Sequence, residues 1–218
     1  NRAKSSKEIE VKVREIIEQV KRGGDQSLLE LTNLLDQNNL RQTDIIVTPS
    51  EFKAAEKQID NGLFDIIKQA IGRVKAFHNY QYENSCFSHQ EEGVILGQLV
   101  RPIERVGIYV PGGMAEYPSS LIMGAVPAII AGVTEISVVT PLGSRSQISP
   151  YLLMTAQELG ITKIYKVGGA QAIAALAHGT ETIQPVDKIV GPGNIYVTMA
   201  KKQVFGQEKG GIFSSVDD

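Results

Sequence analysis

Cysteine is nearly missing from these 218 residues: there is one, Cys86, beside 21 glycines. A single thiol excludes an internal disulfide, and its polar setting, Glu83-Asn-Ser-Cys-Phe-Ser-His89, does not mark it as a nucleophile. An excess of either charge is missing too. With 22 Lys and Arg against 24 Asp and Glu the formal net charge is −2, so no basic field draws the chain to nucleic acid or to an anionic membrane. No apolar run reaches the roughly 18 residues that span a bilayer, and the charged amino-terminal segment holds no signal-peptide hydrophobic region. The expectation is a cytoplasmic protein with no nucleic-acid and no membrane partner. CxxC, HExxH, the P-loop and Gly-x-Ser-x-Gly are all lacking, and His78, His89 and His178 stand too far apart to read as metal ligands. His78 and His89 fall in or beside a polar connector. His178 closes a helical pattern just before Gly179, where an imidazolium would favour the helix dipole.

What is present divides into two unlike halves. Up to about residue 82 the pattern is helical. Ser5 and Glu8 have capping-box spacing, and Ile9, Val13, Ile16, Ile17 and Val20 follow on one face before Gly23-Gly24 ends the helix. Asp25 can cap the next helix, whose stripe is Leu28, Leu31, Leu34 and Leu35. Thr48-Pro-Ser-Glu51 combines a capping box with proline at the first helical position, and Leu63, Ile66, Ile67, Ala70, Ile71, Val74 and Phe77 mark a longer helix. From about residue 94 short β-rich runs take over, at Val94–Val100, Val106–Val110, Glu135–Thr140, Lys163–Val167 and Asp187–Val190. Helical stretches near 119–131, 149–159, 169–178 and 194–204 alternate with the last four, which predicts an α/β fold with a parallel sheet. Pro127 predicts a kink or an early stop in the first of these helices.

Right-handed crossovers carry the carboxyl end of every strand to one edge. Four glycine loops then meet there: Val110-Pro-Gly-Gly113, Thr140-Pro-Leu-Gly143, Val167-Gly-Gly-Ala-Gln171 and Gly191-Pro-Gly-Asn194. Parallel sheets bind ligands at this edge, where helix amino termini offer N–H groups to an anion. G-x-G-x-x-G with an acidic residue about 20 positions on is not found, so any nucleotide is held differently from the usual dinucleotide fold. Three residues bring chemistry that turn-making does not need. Tyr109 could stack on a planar ligand or hydrogen-bond through its hydroxyl, or it could be a core aromatic. Gln171, in the first turn of its helix, can donate and accept, or could simply be solvated. Asn194 opens the last helix as a ligand contact or as its cap.

The motifs together resemble a known family. Arg101-Pro-Ile-Glu-Arg-Val-Gly-Ile-Tyr-Val-Pro-Gly-Gly113, Pro118-Ser-Ser120, Lys166-Val-Gly-Gly-Ala-Gln-Ala-Ile-Ala-Ala-Leu-Ala177, Gly179-Thr-Glu181, Val186-Asp-Lys-Ile-Val-Gly-Pro-Gly-Asn194 and Ala200-Lys-Lys202 are similar to histidinol dehydrogenase. So are Val20-Lys-Arg-Gly-Gly-Asp25, Thr48-Pro-Ser-Glu51 and Ile71-Gly-Arg-Val-Lys-Ala-Phe-His78 upstream. The resemblance implies a zinc-dependent homodimer that oxidises L-histidinol through the aldehyde to L-histidine with NAD, and NAD contacts at Tyr109, Gln171 and Asn194. It implies residues 1–105 as a helical amino-terminal region with a short strand near 94–100, and 106–205 as an incomplete Rossmann-like NAD-binding domain. Residues 206–218 make an atypical tail. The family's zinc ligands and catalytic Glu-His pair follow an Ala-Gly-Pro-Ser-Glu segment that this sequence does not contain, so the expectation is a truncated chain, inactive alone. The competing expectations are a non-catalytic nucleotide-binding or interaction module, and a dehydrogenase of another amino alcohol or diol.

Overall fold

The computed structural model describes residues 2–36, 39–112, 117–143 and 146–206. Gly113 of the first glycine loop and residues 207–218 of the expected tail lie outside them. Four parallel strands, β3 (Arg105–Tyr109), β4 (Glu135–Val139), β5 (Lys163–Tyr165) and β6 (Lys188–Val190), form one sheet in the order β5-β4-β3-β6. Their helices are α4 (Pro118–Ala131), α5 (Pro150–Glu158), α6 (Gly169–His178) and α7 (Ile195–Val204). Each begins and ends within about two residues of the sequence expectation, because the switch from two-residue to 3.6-residue periodicity is local.

Strand alternation sorts the core into two layers. Val106, Ile108, Val138 and Ile164 pack on one face against α4 and α5, while Tyr109, Val139, Tyr165 and Ile189 pack on the other against α6 and α7. The amino-terminal helices do not stay together as a single layer. Val13, Ile17, Val20 and Leu28 of α1 (Arg2–Leu35) join the α6–α7 face. Ala55 of α2 (Pro49–Glu56) and Phe64, Ile67 and Ile71 of α3 (Asn61–Asn79) join the α4–α5 face. The sheet is thereby covered on both sides, as an all-parallel sheet requires. Residues 45–47 run antiparallel beside β5, where the Val47 N–H donates to Ile164 O at 2.9 Å and the Lys166 N–H to Ile45 O at 2.7 Å. That segment closes an otherwise open strand edge.

Thr48 caps α2 as its spacing predicts, with Pro49 at the first helical position and Glu51 completing the box. Other local signals were overridden. α1 is already helical at Arg2, ahead of the Ser5–Glu8 spacing. It breaks at Gly24 (φ 53°, ψ −136°) as expected, but Asp25 does not cap the helical stretch beyond the break. Its carboxylate is buried and accepts hydrogen bonds from the Thr182 N–H and hydroxyl and from Gln42 Nε2, while its own N–H donates to Glu181 Oε2 at 2.7 Å. The kink is a docking point on the loop after α6. α4 continues through Pro127 to Ala131 without stopping. The carbonyl that the proline leaves unpaired belongs to Met123, on an exposed turn where water can serve it.

The connector holding His89 is partly a strand. β1 (Cys86–Glu91) pairs antiparallel with β2 (Val94–Gln98), and β2 is exposed along its whole length. On α3 the expected stripe spans two faces, of which one is buried, and Leu63, Ile66 and Phe77 stay exposed, as do Leu34 and Leu35 of α1.

Candidate functional site

β3 leads into α4 on one face of the sheet, and its neighbour β6 leads into α7 on the other. The chain diverges at the carboxyl ends of these two strands, and the crevice so opened is where parallel α/β sheets take ligands. The loops around it are packed on one another. Pro141, after β4, fills the space against Gly112 and Gly168, each of which would bring a Cβ to within 2.6 Å of it. Gly191, after β6, has φ 112°, and a Cβ there would lie 2.0 Å from the Tyr109 carbonyl oxygen. Only glycine fits such a backbone. These glycines serve loop-to-loop packing, which holds the edge rigid.

All three sequence candidates come to this edge, each in a setting that its local sequence did not reveal. Tyr109 ends β3 and is 4% exposed, its ring packed in the core with α1 and α6. Its ring face is not free to stack, and its hydroxyl accepts from the Gly169 N–H, at the start of α6, at 3.3 Å. Burial pushes the hydroxyl pKa up; the Gly169 N–H opposes this and the nearby Asp36 carboxylate adds to it. Gln171 is not solvated. It is 1% exposed, and neither its Oε1 nor its Nε2 has a hydrogen-bond partner. Its Oε1 lies 2.5 Å from where a Cβ of Gly169 would stand, so the amide folds back over the amino terminus of α6. Asn194 caps α7, its Oδ1 accepting from the N–H groups of Tyr196 at 3.0 Å and Val197 at 3.1 Å. The side chain is exposed beside the Gly191 turn.

Two buried lysines stand at the same edge. Lys166, in the loop after β5, is buried against Glu51 at 2.7 Å. Burial pushes the Glu51 carboxyl up, but Lys166 and the Thr48 cap outweigh it and hold it below the ordinary value. Lys201 of α7 is buried with its Nζ donating to Gly191 O. Asp36, at the end of α1, has an enclosed Oδ2 without a hydrogen-bond partner, and burial raises its pKa. Thr32, one turn earlier, has an enclosed Oγ1 in the same condition. Asp36 and Thr32 escaped the sequence reading, although the spacing Leu28, Thr32, Asp36 sets two polar groups on the buried face of an otherwise apolar stripe.

Elsewhere, burial holds the His178 imidazole below its ordinary pKa, with Lys21 acting in the same sense against Glu18. The imidazolium expected at the end of α6 is therefore disfavoured. A groove of about 340 Å³ bounded by His78, Tyr82, Arg101 and Pro127 opens at the carboxyl end of α4, away from the glycine loops. Among the described residues no three His, Cys, Asp or Glu side chains are grouped to hold a metal ion, and no helix is long and apolar enough to cross a membrane.

Comparison with known proteins agrees with the motifs. The histidinol dehydrogenase family model matches residues 1–212. The histidinol dehydrogenase of Bacillus subtilis (strain 168) is 50% identical over 194 residues, which are 89% of this chain and 45% of that protein. That of Listeria monocytogenes serotype 4b (strain F2365) is 48% identical over 202 residues, 93% of this chain and 47% of that one. The crystal structure of histidinol dehydrogenase from Elizabethkingia anophelis superposes with a TM-score of 0.88 at 39% identity, over 94% of this chain and 46% of that one. The chain spans about half the length of the relatives it matches.

Proposed function

The chain belongs to the histidinol dehydrogenase family, and from that premise we propose that it supplies the NAD-binding part of an enzyme that oxidises L-histidinol to L-histidine through L-histidinal, in histidine biosynthesis. NAD, when bound, accepts the hydride that leaves the substrate carbon. The observation that carries this reading is the Gln171 amide. A buried amide with neither polar atom satisfied costs about 1–3 kcal/mol, and such groups are found where something else completes them. The amide lies at the amino terminus of α6, against Gly169, whose N–H donates to the hydroxyl of Tyr109 at the end of β3.

In this reading Gln171 donates to and accepts from the dinucleotide. Asn194 keeps Oδ1 on the α7 backbone and offers Nδ2 outward. Tyr109 acts through its hydroxyl, which orients the amino terminus of α6. Residues 106–205 form the nucleotide-binding unit. Zinc is a different case. The described residues contain no grouping that fits it, so no step is assigned through the metal, and these side chains serve to bind and orient. We place the enzyme in the cytoplasm as a homodimer. The exposure of Ile66 and Phe77 on α3 and of Ile95 and Leu96 on β2 supports a covering partner.

Calorimetric titration of NAD into this chain and into Gln171→Ala, Asn194→Ser and Gln19→Ala tests the site. Serine can still cap α7, so its effect reports the lost amide and not a frayed helix. Binding should persist in the exposed Gln19 variant and weaken roughly tenfold or more in the other two. Equal binding by all four proteins removes the site.

A further inference from the structure

We propose that Lys201 is a positioning residue of the dinucleotide site: its ammonium fixes the Gly191–Pro192 peptide, and through that turn it sets the direction of the Asn194 amide. This deepens the NAD reading above and rests on it. Of the two adjacent lysines on α7, Lys202 is exposed and Lys201 is only 4% exposed. A lysine is seldom buried unless something receives its charge. The Lys201 Nζ donates to Gly191 O, in the turn that opens its own helix.

Helix geometry explains the reach. Asn194, Val197 and Lys201 stand at positions i, i+3 and i+7, which share one face, and a long helical side chain points back toward the amino terminus of its helix. Lys201 therefore runs back along α7 to a carbonyl ten residues earlier.

That carbonyl is the one polar handle on its peptide. Pro192 has no N–H, so a hydrogen bond can orient the Gly191–Pro192 unit only through Gly191 O. The remainder of the turn is gripped from both sides. A Cβ on Gly191 would lie 2.0 Å from the Tyr109 carbonyl oxygen, and one on Gly193 would lie 2.3 Å from Val197 Cγ1. Two glycines give this segment conformational freedom that the close packing uses. The charge-assisted bond from Lys201 removes the rest of that freedom. Asn194 follows directly, its Oδ1 held by the N–H groups of Tyr196 and Val197. With Oδ1 fixed on the helix, the direction of Nδ2 is set by where the turn delivers the residue. A site ordered before the ligand arrives binds it more tightly, because less ordering is left to the binding step.

The test is a double-mutant cycle read by NAD titration with NMR detection, on the wild-type chain, Lys201→Met, Asn194→Ser and the double variant, with circular dichroism to confirm folding. Methionine keeps an apolar stem and loses the donor. Each single variant should weaken NAD roughly tenfold, and the double variant should lie within about threefold of either one, since both changes act through the same amide. In the ligand-free protein Lys201→Met should also shift the Asn194 side-chain amide resonance. A double variant weakened about a hundredfold would make the two residues independent and overturn the proposal. So would Lys201→Met that binds like the wild type, or an unmoved Asn194 resonance, and each of these leaves the NAD site standing. A wild type that does not bind NAD overturns both readings. Where Lys201→Met does not fold, Lys201→Gln, whose shorter side chain falls short of Gly191, serves the same cycle. Failure of both variants to fold makes Lys201 a structural residue, and the proposal falls.

Discussion

Replacing Gln171 with methionine should make the protein more stable and stop it binding NAD. Gln171 is 1% exposed in the first turn of α6, and both polar atoms of its amide are enclosed without a partner. An amide left in this state disfavours the fold by about 1–3 kcal/mol relative to its hydration in the unfolded chain. Methionine has nearly the same length and volume and a similar helix propensity, so repacking should return less than about 1.5 kcal/mol of that gain. The net expectation for Gln171→Met is added stability of up to about 3 kcal/mol. For a chain of this size that raises Tm by up to about 12 °C. The assay is thermal and urea unfolding by far-ultraviolet circular dichroism, paired with NAD titration. A lower Tm would show that the amide is satisfied in the ligand-free protein, and the reasoning would fail there. Undiminished NAD affinity would refute the other half, because the unsatisfied amide would then have no ligand to explain it. The pairing of stability gained with binding lost is what a merely structural glutamine does not produce.

Asp25→Ala should lower stability by about 3 kcal/mol, since it leaves the Thr182 N–H and hydroxyl and the Gln42 amide without their acceptor. Burial pushes the Asp25 carboxyl up, but hydrogen bonds from Thr180, Thr182 and Gln42 outweigh it and hold its pKa below the ordinary 3.8. A depressed folded-state pKa contributes stability that is present above the unfolded value and lost as pH falls through the folded one. The difference between wild type and variant in urea unfolding should accordingly be full at pH 7 and close below about pH 4; a difference that does not shrink in acid would contradict the assignment. Gly191→Ala should cost about 1–3 kcal/mol through its positive φ and the contact with the Tyr109 carbonyl, and it should abolish NAD binding by displacing Asn194. Retention of both stability and binding would show that the turn relaxes freely.

How much of this was legible beforehand depends on the range of the forces involved. Periodicity, caps and turn residues act within a few positions, so β3 to β6, α4 to α7 and the Thr48 cap could be read from the chain, as could the meeting of four glycine loops on one edge. The motifs further sufficed to place the chain in its family. β1 was missed because the hairpin leaves its β2 face unburied, and a strand with no face to bury shows no alternation. α4 passes Pro127 because burial along the helix outweighs one lost hydrogen bond. The states of the candidate residues were decided only by packing across long sequence separations. Tyr109 lost its ring face to α1 and α6, Gln171 lost its solvent, and Asp25 turned from a local cap to the Thr182 loop 157 residues away. Local sequence determined which elements form, and tertiary burial determined which of their polar groups were left without water or a partner, because desolvation depends on everything that surrounds a group and not on its neighbours in the chain.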